Sequence, residues 1–388
     1  KVDNMTVKDI YIYTDKYVAP DDIAADSTFY ITRVTNFTME RVYQMNTYSK
    51  AASASTHGYF LMLSYGFNTK LINVNAYDND WGVIGNRCLN TVFVDKCNIN
   101  RFDIHIYGRD VIIRDSIFSD RFCQFGCVYG DVVFDGCTFN ECSSPFLYEQ
   151  TYNYFVPVNI YFKNCTLNKT SNFVRIINPH MNIAPVRQEQ AKKYLPNIFV
   201  DGVNINLGAD ETFRIFHNSG SWTPTTYYDG VAGLEHLVLR NMNIQYDSKD
   251  TREYAYANLQ YNTITLLTTP HILLDNCSLG KIKSESQLGL INVTSAVDTL
   301  RVHATTLPTG KKGKFFIKNC LMALPTREYA PYDFTVEDSV IFNRYNSTLA
   351  ANAQNNYRFV NTDIHFNRGG ITADTQDMGD YISCNFIF

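Results

Sequence analysis

The sequence predicts an all-β fold, a parallel β-helix of about 12–13 coils with long loop insertions in its middle coils, and three patterns carry that expectation. The first is a line that recurs between Asn90 and Asn140: N-T-V-F-V-D-K-C-N-I, then R-D-V-I-I-R-D-S-I-F, then G-D-V-V-F-D-G-C-T-F. Each copy alternates apolar and polar residues, as a strand with two unlike faces must. The second is the small residue near the end of each line. Taken as a marker, it falls at Cys97, Ser116, Cys137, Cys165, Val203, Met242, Cys277, Cys320, Ser339, Thr362 and Cys384, with weaker copies around Val42 and Asn75. The third is the column two places before the marker: Asp95, Arg114, Asp135, Lys163, Asp201, Arg240, Asp275, Lys318, Glu337. Its sign alternates without a break. Coils stack about 4.8 Å apart, so each charge would lie between two opposite ones. Opposite pairs contribute up to roughly 1 kcal/mol each. This column reads as a device for holding register, not as a catalytic set.

Taken in order, residues 1–36 form an entry segment or first coil, with a strand-like run from Val7 to Tyr13 and a break at Pro20-Asp21-Asp22. Residues 37–388 read as one solenoid domain. The early coils are short, and a second strand shows in each: Phe60–Leu63, Gly82–Ile84, Ile104–Tyr107 and Cys127–Tyr129. Gly66, Gly85, Gly108 and Gly130 mark tight turns after these strands. Through 138–320 the marker spacing stretches to between 28 and 43 residues, and inserted loops of that kind commonly build a binding face. The residue before the marker is often Asn or Asp (Asp115, Asn164, Asn241, Asn276, Asn319, Asp338, Asn361), which suits a bend and a stacked amide ladder.

Composition narrows the function. Lys and Arg number 34 against 38 acids, and a net charge of −4 gives no electrostatic reason to expect nucleic acid. No apolar run approaches the roughly 20 residues of a membrane span, so no membrane insertion is expected, and no signal peptide is evident. Six of the ten cysteines occupy the marker column, which favours free buried thiols and folding in a reducing cytoplasm. Cys123 and Cys127 make an isolated C-x-x-x-C; no spacing suggests a metal site, and no cofactor is expected.

Four places before the marker stands an apolar column on the outward side: Phe93, Ile112, Val133, Tyr161, Phe199, Val238, Leu273 and Phe316. A solvent-facing sheet should not carry such a ridge. Cover by another subunit, in three-fold packing, accounts for it more simply than cover by a loop of the same chain.

The most reactive-looking patch is Arg101-Phe102-Asp103-Ile104-His105. With Ile104 and Ile106 inward, Asp103, His105 and Tyr107 share the outer face and Arg101 lies at its margin. An acid, an imidazole and a guanidinium there suit acid–base work on a sugar. Neighbouring coils offer Asp78, Asp80, Trp81, Arg121, Gln124, Glu141 and Glu149, with Tyr148, Tyr152 and Tyr154 as flat apolar faces for sugar rings. Asp103, His105, Asp80 and Glu149 are the catalytic candidates; Arg101, Trp81, Tyr107, Arg121, Tyr148 and Arg175 are the substrate-binding ones. Carboxylates on adjacent coils would stand about 5 Å apart, as in retaining glycosidases, and those two coils apart roughly 9.5 Å, as in inverting ones. Asp80 with Asp103 offers the first spacing and Asp103 with Glu149 the second. A lyase would need a base and a cation beside a uronate, and His105 with Arg101 or Arg121 would supply both. A cluster that merely tethers a loop is the plainer alternative.

Gly85-Asn86-Arg87-Cys88-Leu89-Asn90, a G-N-x-C-x-N coil, followed by Arg101-Phe102-Asp103-Ile104-His105, resembles right-handed β-helix proteins of phage tails and prophages, within the wider pectate-lyase-like group. The resemblance covers about 70–150. It implies a homotrimer that binds, and often cleaves, bacterial surface polysaccharide from a virion tail after folding in the host cytoplasm, with Arg101, Asp103 and His105 in the substrate groove. Two alternatives stay open: a non-catalytic receptor-binding or adhesin solenoid, and a secreted bacterial polysaccharide lyase or hydrolase.

Overall fold

Single residues in the left-handed backbone region, recurring at fixed places, shape this chain. In the strand Ser27–Gln44 they are Arg33, Asn36 and Arg41, at φ near +50°. In the next strand, Tyr59–Ala76, they are Tyr65, Asn68 and Asn73, in register with the first three. One such residue between extended neighbours bends the strand sharply, so a long strand wraps round the core instead of running straight. A computed structural model describes residues 2–12, 27–44, 59–76, 82–105, 107–119, 122–126, 128–149, 158–170, 172–177, 196–209, 211, 213–218, 235–249, 254–261, 271–282, 313–323, 332–343, 356–366 and 379–387. Those residues are all-β, without a helix, and their strands pair in parallel from coil to coil: a parallel β-helix.

The chain, expected as one solenoid domain, divides into two compact units, Lys1–Thr170 and Ser171–Phe388. A solenoid allows this because each coil touches only its neighbours, so no single core need unite the whole.

In the first unit, Val2–Asp3 and Thr6–Ile12 already pair with Ser27–Gln44, so the entry segment is itself a coil. Val83–Asp95, Gly108–Arg114, Val128–Asp135 and Val158–Lys163 then stack in order. Asn98–Ile99, Ile117–Ser119, Thr138–Asn140 and Thr166–Asn168 form a second stack. Phe102–Ile104, Phe122–Gly126 and Ser144–Glu149 form a third. In the second unit Asn197–Asp201, His236–Arg240, His271–Asp275, Gly313–Lys318, Tyr332–Glu337, Asn356–Val360 and Gly379–Ile382 repeat the first stack. Tyr254–Tyr261 breaks the pattern by pairing antiparallel with Gly280–Ile282.

The charge column lies in register within each unit: Asp95, Arg114, Asp135 and Lys163 in one, Asp201 through Glu337 in the other. The marker column is buried down to Thr362, and its weak early copies resolve to Val42 and Val74, one place from Asn75. Its chemistry is more specific than small size. The Cys97, Cys137, Cys165, Cys277 and Cys320 thiols and the Ser116, Ser339 and Thr362 hydroxyls each donate to the carbonyl two residues back, at 2.6–3.6 Å. A left-handed residue in between (Lys96, Asp115, Gly136, Asn164, Asn276, Asn319, Asp338, Asn361) turns that carbonyl toward the donor. The position takes a buried side chain of modest size, and where that is Cys, Ser or Thr it also gives a hydrogen to the turn; Val42, Val74, Val203 and Met242 fill it without one. The expected amide ladder exists in part: Asn276 donates to Asn241 at 2.7 Å, while Asn241, Asn164 and Asn319 donate to carboxylates of the charge column, Asp201, Asp135 and Asp275.

The glycine turns take a different form. Gly130 has φ +81° as expected, but at Gly66 and Gly108 the left-handed residue is the preceding tyrosine. These two glycines serve close packing, since an added Cβ would meet Leu89 or Ile104 at about 3 Å. Inside, phenylalanines stack ring on ring: Phe118 on Phe139, Phe125 on Phe146, Phe134 on Phe162. Each such buried side chain contributes roughly 1.5–3 kcal/mol. The outward apolar ridge is half-buried throughout, and part of its cover comes from the charge column, with Arg114 over Phe93 and Lys163 over Tyr161.

Candidate functional site

The strand Phe102–Ile104 sits between Val83–Asp95 and Phe122–Gly126, with Asp103 in line with Ile84 and Gln124. Strand alternation sets Asp103 on the face opposite Phe102 and Ile104, as the sequence implies. That face is closed here. Asp103 has 0% exposure and Arg101 4%, so neither stands on the open outer surface expected of them.

The carboxylate of Asp103 is engaged on both oxygens. The backbone N–H of Gln124 donates to Oδ1 at 2.9 Å, and the Arg101 guanidinium pairs with Oδ2. Arg101 in turn donates to the side-chain oxygen of Gln124 at 2.7 Å. Gly82, left-handed at φ +57°, lies so close to the Arg101 backbone that a Cβ would meet its carbonyl at 2.2 Å. Tyr59 is buried nearby; burial pushes its phenol above the usual range, and the charge of Asp103 adds to the push. Nothing in the local sequence around Tyr59 signals this role, because only the coil register brings it near Asp103.

His105 is the accessible member. Its side chain is 28% exposed, and Nε2 lies 3.6 Å from Oδ2 of Asp103. Its backbone N–H donates to the Gly85 carbonyl, which fixes where the imidazole leaves the wall. Tyr107, two residues on, is a half-buried left-handed corner whose carbonyl accepts from Leu89. The structure therefore joins Arg101, Asp103, Gln124 and His105 into one group, with an imidazole at the surface and an ion pair beneath it.

The other candidates are not brought into that group. Asp80, Trp81 and Arg121, with Asp78, Tyr152 and Tyr154, lie outside the described residues. For Tyr148 and Glu149 the backbone is described and the side chains are not; Tyr148 pairs with Phe125, and Glu149 with Gly126. Since Phe125 pairs with Ile104, Glu149 is in line with the position after Ile104, that of His105, and not with Asp103. The residue two coils along in line with Asp103 is Leu147, so the register does not give the expected Asp103–Glu149 carboxylate pair. Arg175 belongs to the strand Asn172–Ile177 of the second unit, its side chain likewise outside the described set. Glu141 is a left-handed corner residue paired with Lys169 at 2.9 Å.

Among the described residues no three His, Cys, Asp or Glu side chains gather as a metal site, and no helix is long and apolar enough to cross a membrane. The cysteines whose side chains are described are free, and all but Cys384 are buried; Cys127 and the side chain of Cys88 lie outside the described set. A scan of protein-family models finds no match to this chain, and a search of curated proteins finds none either.

Proposed function

We propose that this chain is a β-helical depolymerase of the phage tailspike type, which binds a bacterial surface polysaccharide, capsule or exopolysaccharide, and cleaves it by glycoside hydrolysis beside His105. One observation carries the reading: a part-exposed imidazole held on a solenoid wall over a buried carboxylate. An imidazole has one nitrogen that can give a proton and one that can take it, which suits proton transfer to or from a sugar oxygen. Asp103 and Arg101, closed within the protein, are positioning residues in this scheme. Glu149, two coils along from the His105 position, is the acid best placed by register to share the work. The half-buried ridge from Phe93 to Tyr161 supports assembly as a homotrimer, and a place on a virion tail follows by analogy of fold alone.

The test is incubation with a panel of bacterial surface glycans, following product mass and the absorbance of unsaturated uronates. Shortened chains without that absorbance, lost in His105→Ala while glycan binding persists, are the expected result. Unsaturated ends would make the reaction an elimination, with His105 as base. Cleavage that survives in His105→Ala would remove the site.

A second reading has an observation of its own. Both oxygens of Asp103 are already engaged by Gln124 and Arg101, as in a cluster that only holds a loop. This favours a non-catalytic receptor-binding solenoid, and a glycan bound but never shortened would establish it.

A further inference from the structure

Beyond His105 and the Tyr107 corner, the first unit carries an outward column that the sequence patterns do not single out. Phe67 pairs with Asn90, Asn90 with Arg109 and Arg109 with Tyr129, on four successive coils. Three coil spacings make this strip about 14 Å long. Phe67 is 49% exposed, and Tyr65 at the adjoining corner is exposed as well. Arg109 lies over the Tyr129 ring, 5.5 Å from its centroid, and its Nε is 3.0 Å from Asp110. Asp110 and Asp131 stand beside the strip, and Asp110 accepts the Asp131 backbone N–H.

We infer that this strip is a binding subsite for neutral, hydroxyl-rich sugar units of a glycan, an inference that rests on the proposed glycan-binding function. Flat ring faces at either end suit the apolar faces of pyranose rings. Between them stand an amide and a guanidinium edge, which give donors and acceptors for hydroxyls. The charge balance selects neutral sugars: the one cation of the strip, Arg109, is already paired with Asp110, and Asp131 adds a second negative charge. A uronate would meet two carboxylates and no unpaired partner among these residues. Sugar hydroxyls, by contrast, donate well to carboxylates.

The experiment measures binding of the neutral and uronate-bearing members of the glycan panel to the wild-type chain, Phe67→Ala, Tyr129→Ala and His105→Ala. Each lost ring should weaken a neutral glycan by roughly tenfold in Kd. Both rings lie outside the His105 group, so these variants should keep the wild-type fold, checked by circular dichroism. If the wild-type chain binds no glycan, the proposed function fails and the strip falls with it. If it binds glycan and both ring variants bind equally well, the strip alone is refuted. Preference for uronate-bearing members, or ring variants that change the mass by light scattering while binding is unaltered, would also overturn the assignment. The last result would make the strip a contact between copies.

Discussion

Nε2 of His105 lies 3.6 Å from Oδ2 of Asp103, and the same oxygen is held by Arg101 from within the wall. Removing one member of a buried ion pair leaves the other charge unpaired, at a cost of about 3–5 kcal/mol, whereas replacing both by apolar residues is often neutral. Asp103→Asn should therefore lower the urea midpoint markedly, and Arg101→Met with Asp103→Leu should recover most of the loss. A midpoint unchanged by Asp103→Asn would show that the pair does not hold this wall together. The double variant, folded but without a carboxylate under His105, also separates support of the imidazole from support of the fold.

Lys96 occupies the left-handed corner that Asn, Asp or Gly fills in most other coils, at φ 51°. A non-glycine residue there costs roughly 1–2 kcal/mol, part of which Asn and Asp offset through local hydrogen bonds. Lys96→Gly should raise stability by about 1 kcal/mol. Gly136→Ala, at φ 66° with a Cβ set 2.5 Å from Asp115 Oδ1, should lower it. Thermal midpoints of the two variants should move in opposite directions.

Acid should weaken the second unit through His271. Its ring accepts the Lys314 backbone N–H at Nδ1 and packs 5.3 Å from the His236 ring. Burial, then His236 and Lys314, hold its pKa below 6.5, with Glu235 opposing; His236 itself bonds Asn197. A histidine depressed in the folded state binds more protons when unfolded, so stability rises with pH. This contribution is whole above the unfolded value near 6.5 and declines as pH falls through it, levelling off below the folded pKa. Denaturation midpoints between pH 8 and 5 should show that slope, and His271→Gln, which still offers an acceptor to Lys314, should flatten it. An unchanged slope in the variant would assign the acid response elsewhere.

The buried marker thiols of the first unit, Cys97, Cys137 and Cys165, should be inert in the folded chain. Burial pushes Cys97 up to about 12, and the backbone bonds it makes offset only part of that. Alkylation at pH 8, mapped by mass spectrometry, should mark Cys384 first among the described cysteines and reach Cys97, Cys137 and Cys165 only in denaturant. Cys320→Ser should be nearly silent, because Ser339 makes the same bond in the next coil. Cys320→Val should cost no more than about 0.5 kcal/mol, because the Lys318 carbonyl still accepts the Asn276 backbone N–H.

The solenoid was legible because its rules repeat: a one-place error at Val74 stands out against twelve other copies of the marker, and the charge column fixes nine of the registers independently. What a single coil cannot announce was not legible. Alternation told correctly which way Asp103 points, but not that this face would be sealed, since closure depends on residues such as Tyr59 that reach it through stacking. The glycines misled for a related reason. Gly66 and Gly108 look like turn formers, yet Tyr65 and Tyr107 make the turn, and the glycines yield room to Leu89 and Ile104. Phe67, Arg109 and Tyr129 share no motif and become a strip only through pairing between coils.

The thiol and hydroxyl bonds of the marker column, such as Cys97 to Leu71 and Cys277 to Leu239, reach no further than the adjoining rung, and neither do the ladder bonds above. Pulled from one end, either unit should therefore come apart like a zip, one rung per force peak, instead of rupturing all at once. A solenoid of this kind would yield gradually to tension applied at one end while the remaining rungs kept their grip.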